Sequence, residues 1–86
     1  MKIILNEEME EELADLIDIF DGCFVNNEEV KCFKLIKKMS DEGISLESIS
    51  KESREAIYKQ LRGAFDWLKE LNVKSNYYED FLSYFD

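Results

Sequence analysis

Eight carboxylates and no basic residue lie in the stretch NEEMEEELADLIDIFD, from Asn6 to Asp21. Closely spaced carboxylates can act as a general acid and base, or they can present a negative surface to a basic partner. General acid catalysis needs a buried carboxyl group with a raised pKa. The apolar residues of this stretch recur at helical spacing, so the acids fall on the polar side of a helix. This arrangement favours binding over catalysis.

Metal and redox chemistry lack the residues that they require. The chain contains no histidine, the commonest metal ligand and the usual proton carrier near neutral pH. Cys23 and Cys32 are too few for a structural zinc site, and their spacing matches no redox motif. We therefore predict a non-enzymatic protein with no catalytic residues, no metal and no cofactor.

The amino-terminal segment predicts the compartment. MKIILNEEMEEE contains one lysine and an apolar run of three residues, which is too short for a signal peptide or a membrane span. We expect a cytoplasmic protein that does not contact a membrane and whose thiols are reduced. A disulfide between Cys23 and Cys32 is the alternative in an oxidising compartment.

The composition predicts the fold class. The absence of proline and the presence of only three glycines among 86 residues favour long helices joined by short polar loops. Hydrophobic residues make up 45% of the chain, which is enough apolar surface for one core. We predict an all-α fold in a single domain over residues 1–86, a small bundle of three main helices with a short C-terminal helix.

Start and stop signals place these helices. The predicted helices run from a cap at Asn6 to Asp21, from about Asn27 to Asp41, from about Lys51 to Leu71 and from about Asn76 to Tyr84. Asn26, three residues before Glu29, is typical of a capping box, and Ser45 is typical of the cap of a short helical turn. The opening KIIL is predicted to be an extended strap rather than a paired strand.

Apolar positions at helical spacing predict the core. The expected buried residues are Met9, Leu13, Leu16, Ile17 and Phe20, then Cys32, Leu35, Ile36 and Met39, then Ile57, Leu61, Ala64, Phe65, Leu68 and Leu71, and finally Tyr78, Phe81, Leu82 and Phe85. Phe33 is expected at the flank of the second helix. Gly63 indicates either the close approach of another element or a tolerated glycine.

Formal charge is concentrated at the start of the chain. Residues 1–30 carry −9, residues 31–74 carry +3 and residues 75–86 carry −3. The acids expected opposite the first apolar stripe are Glu7, Glu8, Glu11, Asp15 and Asp18. They form either a solvated face that keeps the protein soluble or a surface that binds a basic partner.

The third helix uses charge differently from the first. It places Glu55 four residues from Lys59 and Arg62 four residues from Asp66, so opposite charges are expected to pair. In the first helix like charges recur at the same spacing, which destabilises a helix by about a few tenths of a kcal/mol per pair. This contrast favours a binding role for the acidic side of the first helix.

In size, acidity and helical composition the chain resembles acidic inhibitors of nucleic-acid-handling proteins, including bacteriocin immunity proteins and phage-encoded antagonists of host defence. The resemblance implies a nucleic-acid mimic that occupies the basic surface of a nuclease or defence effector. The immunity proteins of nuclease colicins carry an adjacent tyrosine pair on a short third helix, whereas SLESIS has none and Tyr77 and Tyr78 lie near the end. We therefore assign the chain to no family.

Aromatic residues near the C-terminus supply the second part of the predicted site. NYYEDFLSYFD holds five of the eleven aromatic residues. Most are expected to close the core, but Trp67, Tyr77 and Tyr84 lie on flanks of their stripes and are candidate partner contacts. We predict an inhibitor or antidote that binds a basic protein, and the alternative is a regulatory or structural module that self-associates as a homodimer. The net charge of −9 disfavours direct binding to nucleic acid.

Overall fold

The computed structural model describes residues 1–21 and 28–86, and all the helices in these ranges were predicted. The elements are α1 (Glu7–Asp21), α2 (Glu28–Glu42), a 3₁₀ turn (Leu46–Ser48), α3 (Lys51–Glu70) and the short α4 (Tyr78–Ser83). The all-α class, with three main helices and a short C-terminal helix, is confirmed. The predicted capping residue Asn26 and Cys23 lie outside the described residues.

The contacts divide the chain into two compact units, Met1–Ser48 and Ile49–Asp86. The first unit contains α1 and α2, which pack against each other. The second unit contains α3 and α4, which also pack against each other. The single domain over residues 1–86 stays a prediction.

The predicted start and apolar stripe of α1 are confirmed. The Asn6 side chain accepts a hydrogen bond from the backbone N–H of Met9 at 2.8 Å, which satisfies one of the free donors in the first turn. The buried residues of the helix are Met9, Leu13, Leu16 and Phe20. Ile17, also predicted to be buried, is only half-buried because it lies at the edge of the stripe.

The buried face of α2 is wider than predicted. Phe33, expected at the flank, has no exposed surface, and its ring centroid lies 5.3 Å from that of Phe20. Leu35, expected in the core, is half-buried. The prediction was wrong for both residues because the Phe20 ring, at the end of α1, packs against Phe33.

The KIIL segment is an extended strap, as predicted. A single antiparallel bridge joins Lys2 to Ser45 in the first unit. Ile3 is 2% exposed and Ile4 is 77% exposed, as expected for an extended chain whose successive side chains point to opposite sides. One bridge therefore suffices to place one apolar side chain in the core.

The second unit begins with a capped helix. The Ser50 side chain accepts a hydrogen bond from the backbone N–H of Ser53 at 3.1 Å, and α3 begins at Lys51 as predicted. The buried residues of α3 are Leu61, Ala64, Phe65 and Leu68. Ile57, also predicted to be buried, is only half-buried. All four residues predicted to be buried in or just after α4 are so: Tyr78, Phe81, Leu82 and Phe85.

Two further predictions for α3, for Leu71 and Gly63, need correction or completion. Leu71, predicted to be buried, is 52% exposed because the helix ends at Glu70 and Asn72 turns the chain with a φ of 62°. The backbone N–H of Val73 then bonds to the Leu68 carbonyl at 2.9 Å, which closes the C-terminal turn. At Gly63 a Cβ atom would meet nothing within 4 Å, so no element approaches this glycine closely.

Candidate functional site

The acidic face of α1 consists of five carboxylates that were singled out from the sequence. Glu7, Glu8, Glu11, Asp15 and Asp18 are all exposed. They lie on the side of the helix opposite its buried residues, because residues three, four, seven and eleven positions apart share a helix face. The structure therefore brings all five predicted acids together on one accessible surface.

Almost all of the net negative charge of the chain lies in the unit that contains the acidic face. Met1–Ser48 contains thirteen acidic and five basic residues, a net formal charge of −8. Ile49–Asp86 contains seven acidic and six basic residues, a net charge of −1. Because the net charge is so uneven, the electrostatic field of the first unit attracts positive surfaces.

Within the described residues, four of the five carboxylates of the acidic face are not paired with the protein's own basic side chains. Glu7, Glu11, Asp15 and Asp18 form no ion pair with any lysine or arginine of residues 1–21 and 28–86. Their negative charge is balanced by solvent ions, which a basic partner can replace.

Half of the exposed lysines of α2 are paired along their own helix. Lys31 lies 3.2 Å from the Glu28 carboxylate, and Lys37 lies 3.8 Å from that of Asp41. Lys34 and Lys38 are exposed and form no ion pair in the described part of the chain. α2 thus presents a small positive patch in a unit that is otherwise negative.

The predicted ion pairs of α3 are not formed. Neither Glu55 with Lys59 nor Arg62 with Asp66 is in ion-pair contact, although all four residues are described. Arg62 instead donates a hydrogen bond to the Tyr58 hydroxyl at 3.2 Å. That bond, and next the attraction of Tyr58 and Asp66, raise the pKa of Arg62.

The three aromatic candidates lie in the second unit, one on α3 and two at the ends of α4. Trp67 is on α3 and is 36% exposed, so it can contribute to a contact surface. Tyr77 precedes α4 and Tyr84 follows it, and both are half-buried. Trp67 fits the predicted role as an exposed contact better than the two tyrosines do.

One charged group with a distinctive environment was not predicted. The Glu47 carboxylate accepts hydrogen bonds from the α-amino group of Met1 at 2.5 and 2.6 Å and from the Ser45 hydroxyl. The bonds from Met1, and next that from Ser45, lower the pKa of Glu47 from 4.5 to about 2. No sequence signal relates residues 46 positions apart, so this contact depends on the path of the strap.

The described part of the chain contains neither a cluster of metal ligands nor a membrane-spanning helix. No group of three or more metal-ligating side chains occurs there. No helix in these segments is both long and apolar enough to cross a bilayer. Comparisons with protein-family models, curated proteins and solved structures found no match to the chain.

Proposed function

We propose that this protein is a non-enzymatic inhibitor or antidote whose acidic face binds the basic surface of a partner protein in the cytoplasm. The observation that carries the proposal is the exposure of all five predicted acids on one side of α1, in a unit with a net charge of −8. A solvated face needs no such segregation, since mixed charges also keep a small domain soluble.

The spacing of the charges indicates the kind of basic surface. From Glu7 to Asp18 the acidic face extends about 16 Å along the helix axis, with roughly one charge per 4 Å. A single DNA strand carries about one phosphate per 3.4 Å. The similar density supports a partner surface built for nucleic acid, such as that of a nuclease or defence effector.

Electrostatic docking accounts for the encounter, and an exposed aromatic residue supplies the apolar contact. Charge complementarity raises the association rate and fixes orientation more than it adds affinity. Trp67 is 36% exposed and offers a large, stiff contact area. Tyr77 and Tyr84 are half-buried, so they contribute less contact area than Trp67.

The proposal is tested with two variants of equal charge. One variant carries Glu11→Gln, Asp15→Asn and Asp18→Asn on the acidic face, and the control carries Glu42→Gln, Glu52→Gln and Glu70→Gln at exposed positions elsewhere. Affinity capture from the source cells should yield a partner with the wild type and the control but not with the acidic-face variant. Equal capture by all three proteins contradicts the proposal.

The inhibitor role is tested on the captured partner. If the acidic face occupies a nucleic-acid site, a nucleic acid and this protein should compete, and the complex should weaken steeply as salt rises. A ternary complex of partner, nucleic acid and this protein argues against nucleic-acid mimicry and leaves only the binding role.

Self-association is the second candidate, and the lysines of α2 support it. Lys34 and Lys38 are exposed and unpaired within the described residues, so the acidic face of one copy can meet them on another. Sedimentation should then show a dimer at low salt that is lost in a Lys34→Gln, Lys38→Gln variant. A monomer at every concentration removes this candidate.

A further inference from the structure

The second unit exposes an apolar stripe along α3. Trp67 and Leu71 are the large hydrophobic residues exposed in this unit, and they lie four positions apart at the C-terminal end of the helix. Gly63, four positions before Trp67, and Ala56, seven positions before Gly63, are also exposed. Residues at these separations share one side of a helix, so the four form a stripe without a charged side chain, called here the α3 stripe.

The middle of the α3 stripe combines an open backbone with a large ring. A Cβ atom at Gly63 would meet nothing within 4 Å, so another chain can approach the backbone closely at this point. One turn further along, Trp67 offers an exposed aromatic surface. A helix with both features can pair with a copy of itself, because the ring of each copy then lies over the glycine of the other.

Charged residues along one edge of the α3 stripe fix the direction of such a pair. The four are exposed, and the two bases precede the two acids: Lys59, Arg62, Asp66 and Glu70. If the helices run antiparallel with Gly63 opposite Trp67, residues equally far from position 65 face each other. Lys59 then lies opposite Glu70 of the second copy, and Arg62 opposite Asp66, to within about 3 Å along the axis. The edge is therefore complementary to itself in the antiparallel direction.

These charges are available to a second copy. Lys59, Asp66 and Glu70 form no ion pair within the described residues, and Arg62 donates its hydrogen bond to the neutral Tyr58 hydroxyl. A parallel pair would set each residue beside its own copy, so like charges would meet. The second unit has a net charge of −1, so it repels a copy of itself far less than the first unit does with −8.

We propose that the α3 stripe binds a second copy of this chain in an antiparallel contact between two α3 helices. Trp67 of each copy packs over Gly63 of the other, and Lys59 pairs with Glu70 at both ends of the contact. A single helix pair lies at the low end of interface sizes, roughly below 1,200 Å², so we expect a dissociation constant on the order of 100 µM. The contact uses neither the acidic face of α1 nor the lysines of α2, so it can fail separately from the functions proposed above.

Charge reversal tests the contact and spares Trp67, which the proposed function also uses. Lys59→Glu brings two acids together at each end of the dimer, and Glu70→Lys brings two bases together. Each variant alone should therefore dimerise at least about tenfold more weakly than the wild type. An equal mixture of the two should form a heterodimer about as tight as the wild-type dimer, because both facing pairs again join opposite charges. Sedimentation velocity of the full chain from roughly 10 µM to 1 mM measures all of these.

Two matched variants control for net charge. Lys69→Glu and Glu42→Lys make the same charge changes at exposed positions outside the α3 stripe and its charged edge, and both should dimerise as the wild type does. Equal weakening by test and control variants, or a mixture no tighter than either test variant alone, overturns the proposal. A wild type that is monomeric up to about 1 mM also overturns it and leaves the α3 stripe to a different protein.

Discussion

The ring of Tyr78 stacks on the ring of Phe65, with centroids 4.5 Å apart and 15° between their planes. The Tyr78 hydroxyl also donates a hydrogen bond to the Val73 carbonyl at 3.0 Å. One side chain thus joins α4 to α3 and to the turn between them. The second unit depends on this contact because α4 has only six residues, too few to be stable alone.

Substitution of Tyr78 separates the two contributions. Tyr78→Phe should lower the free energy of unfolding by about 1 kcal/mol, since only the hydrogen bond is lost. Tyr78→Ala should lower it by about 3–5 kcal/mol, because the ring is 3% exposed and a cavity remains. Urea denaturation measures both, with the exposed Glu79→Gln as a near-neutral control. Equal losses in the two tyrosine variants would show that the stacking has no energetic role.

Alanine at the two described glycines should have opposite effects. Gly63→Ala should raise the free energy of unfolding by about 0.5–1 kcal/mol, because the position is helical and nothing lies within 4 Å of the added Cβ. Gly43→Ala should lower it by about 1 kcal/mol, because Gly43 has a φ of +63° at the end of α2. Thermal and urea unfolding measure both. A stabilising Gly43→Ala would contradict the left-handed turn.

The low pKa of Glu47 predicts a pH-dependent contribution to stability. A carboxylate whose folded pKa is lowered stabilises the protein above its ordinary pKa and loses this effect as pH falls through the folded value. Wild type should therefore exceed Glu47→Gln in melting temperature above pH 4.5, and the difference should shrink between pH 4.5 and about 2. NMR titration of the Glu47 carboxyl carbon measures the pKa directly, and the exposed Glu42→Gln should show no such trend.

Cys32 should be a poorly reactive thiol. Burial, and next the nearby carboxylates of Glu29 and Glu28, raise the pKa of Cys32 from 9.0 to about 11. The thiolate fraction at pH 8 is then about a hundredfold lower than in the unfolded chain. In a Cys23→Ser variant, iodoacetamide should label Cys32 at least about a hundredfold more slowly in buffer than in urea. Equal rates would contradict the burial of this side chain.

The same shift of the Cys32 pKa predicts a loss of stability at alkaline pH. A thiol whose folded pKa is raised contributes stability below its unfolded pKa and loses it as pH rises through the folded value. The free energy of unfolding should therefore fall between pH 9 and about 11. Cys32→Ala should remove this part of the decline, which alkaline denaturation curves in urea can measure.

Local signals in the sequence were sufficient for the starts of α1 and α3 and for the exposed side of α1, but not for the ion pairs expected along α3. Asn6 caps α1 as predicted, and α3 begins at the predicted Lys51, where Ser50 caps it. A side chain that bonds to a backbone N–H three residues on needs no distant partner. The five exposed acids of α1 were equally predictable. Their position follows from the helical repeat and from the apolar stripe on the other side.

Prediction of the core failed where the outcome depended on something other than the helical repeat, either a contact with another helix or the exact end of a helix. Phe33 is buried because Phe20 at the end of α1 meets it, and Leu71 is exposed because the left-handed turn at Asn72 ends α3 before that side chain reaches the core. The contact of Phe33 with Phe20 has no marker in the local pattern, whereas Asn is one of the residues that end a helix in the left-handed conformation. Long-range packing selects one side of an apolar stripe, and that choice is not encoded in spacing alone.

Some positions of the charged residues also follow from the sequence alone, and others depend on the tertiary structure. The sequence by itself determined that negative charge would line the outer side of α1, because helical geometry and composition are local properties. Only the tertiary structure decided that Glu47 would bind the Met1 amino group and that the Tyr78 ring would stack on the Phe65 ring. These contacts join residues far apart in the chain, and folding alone brings them within reach of short-range forces.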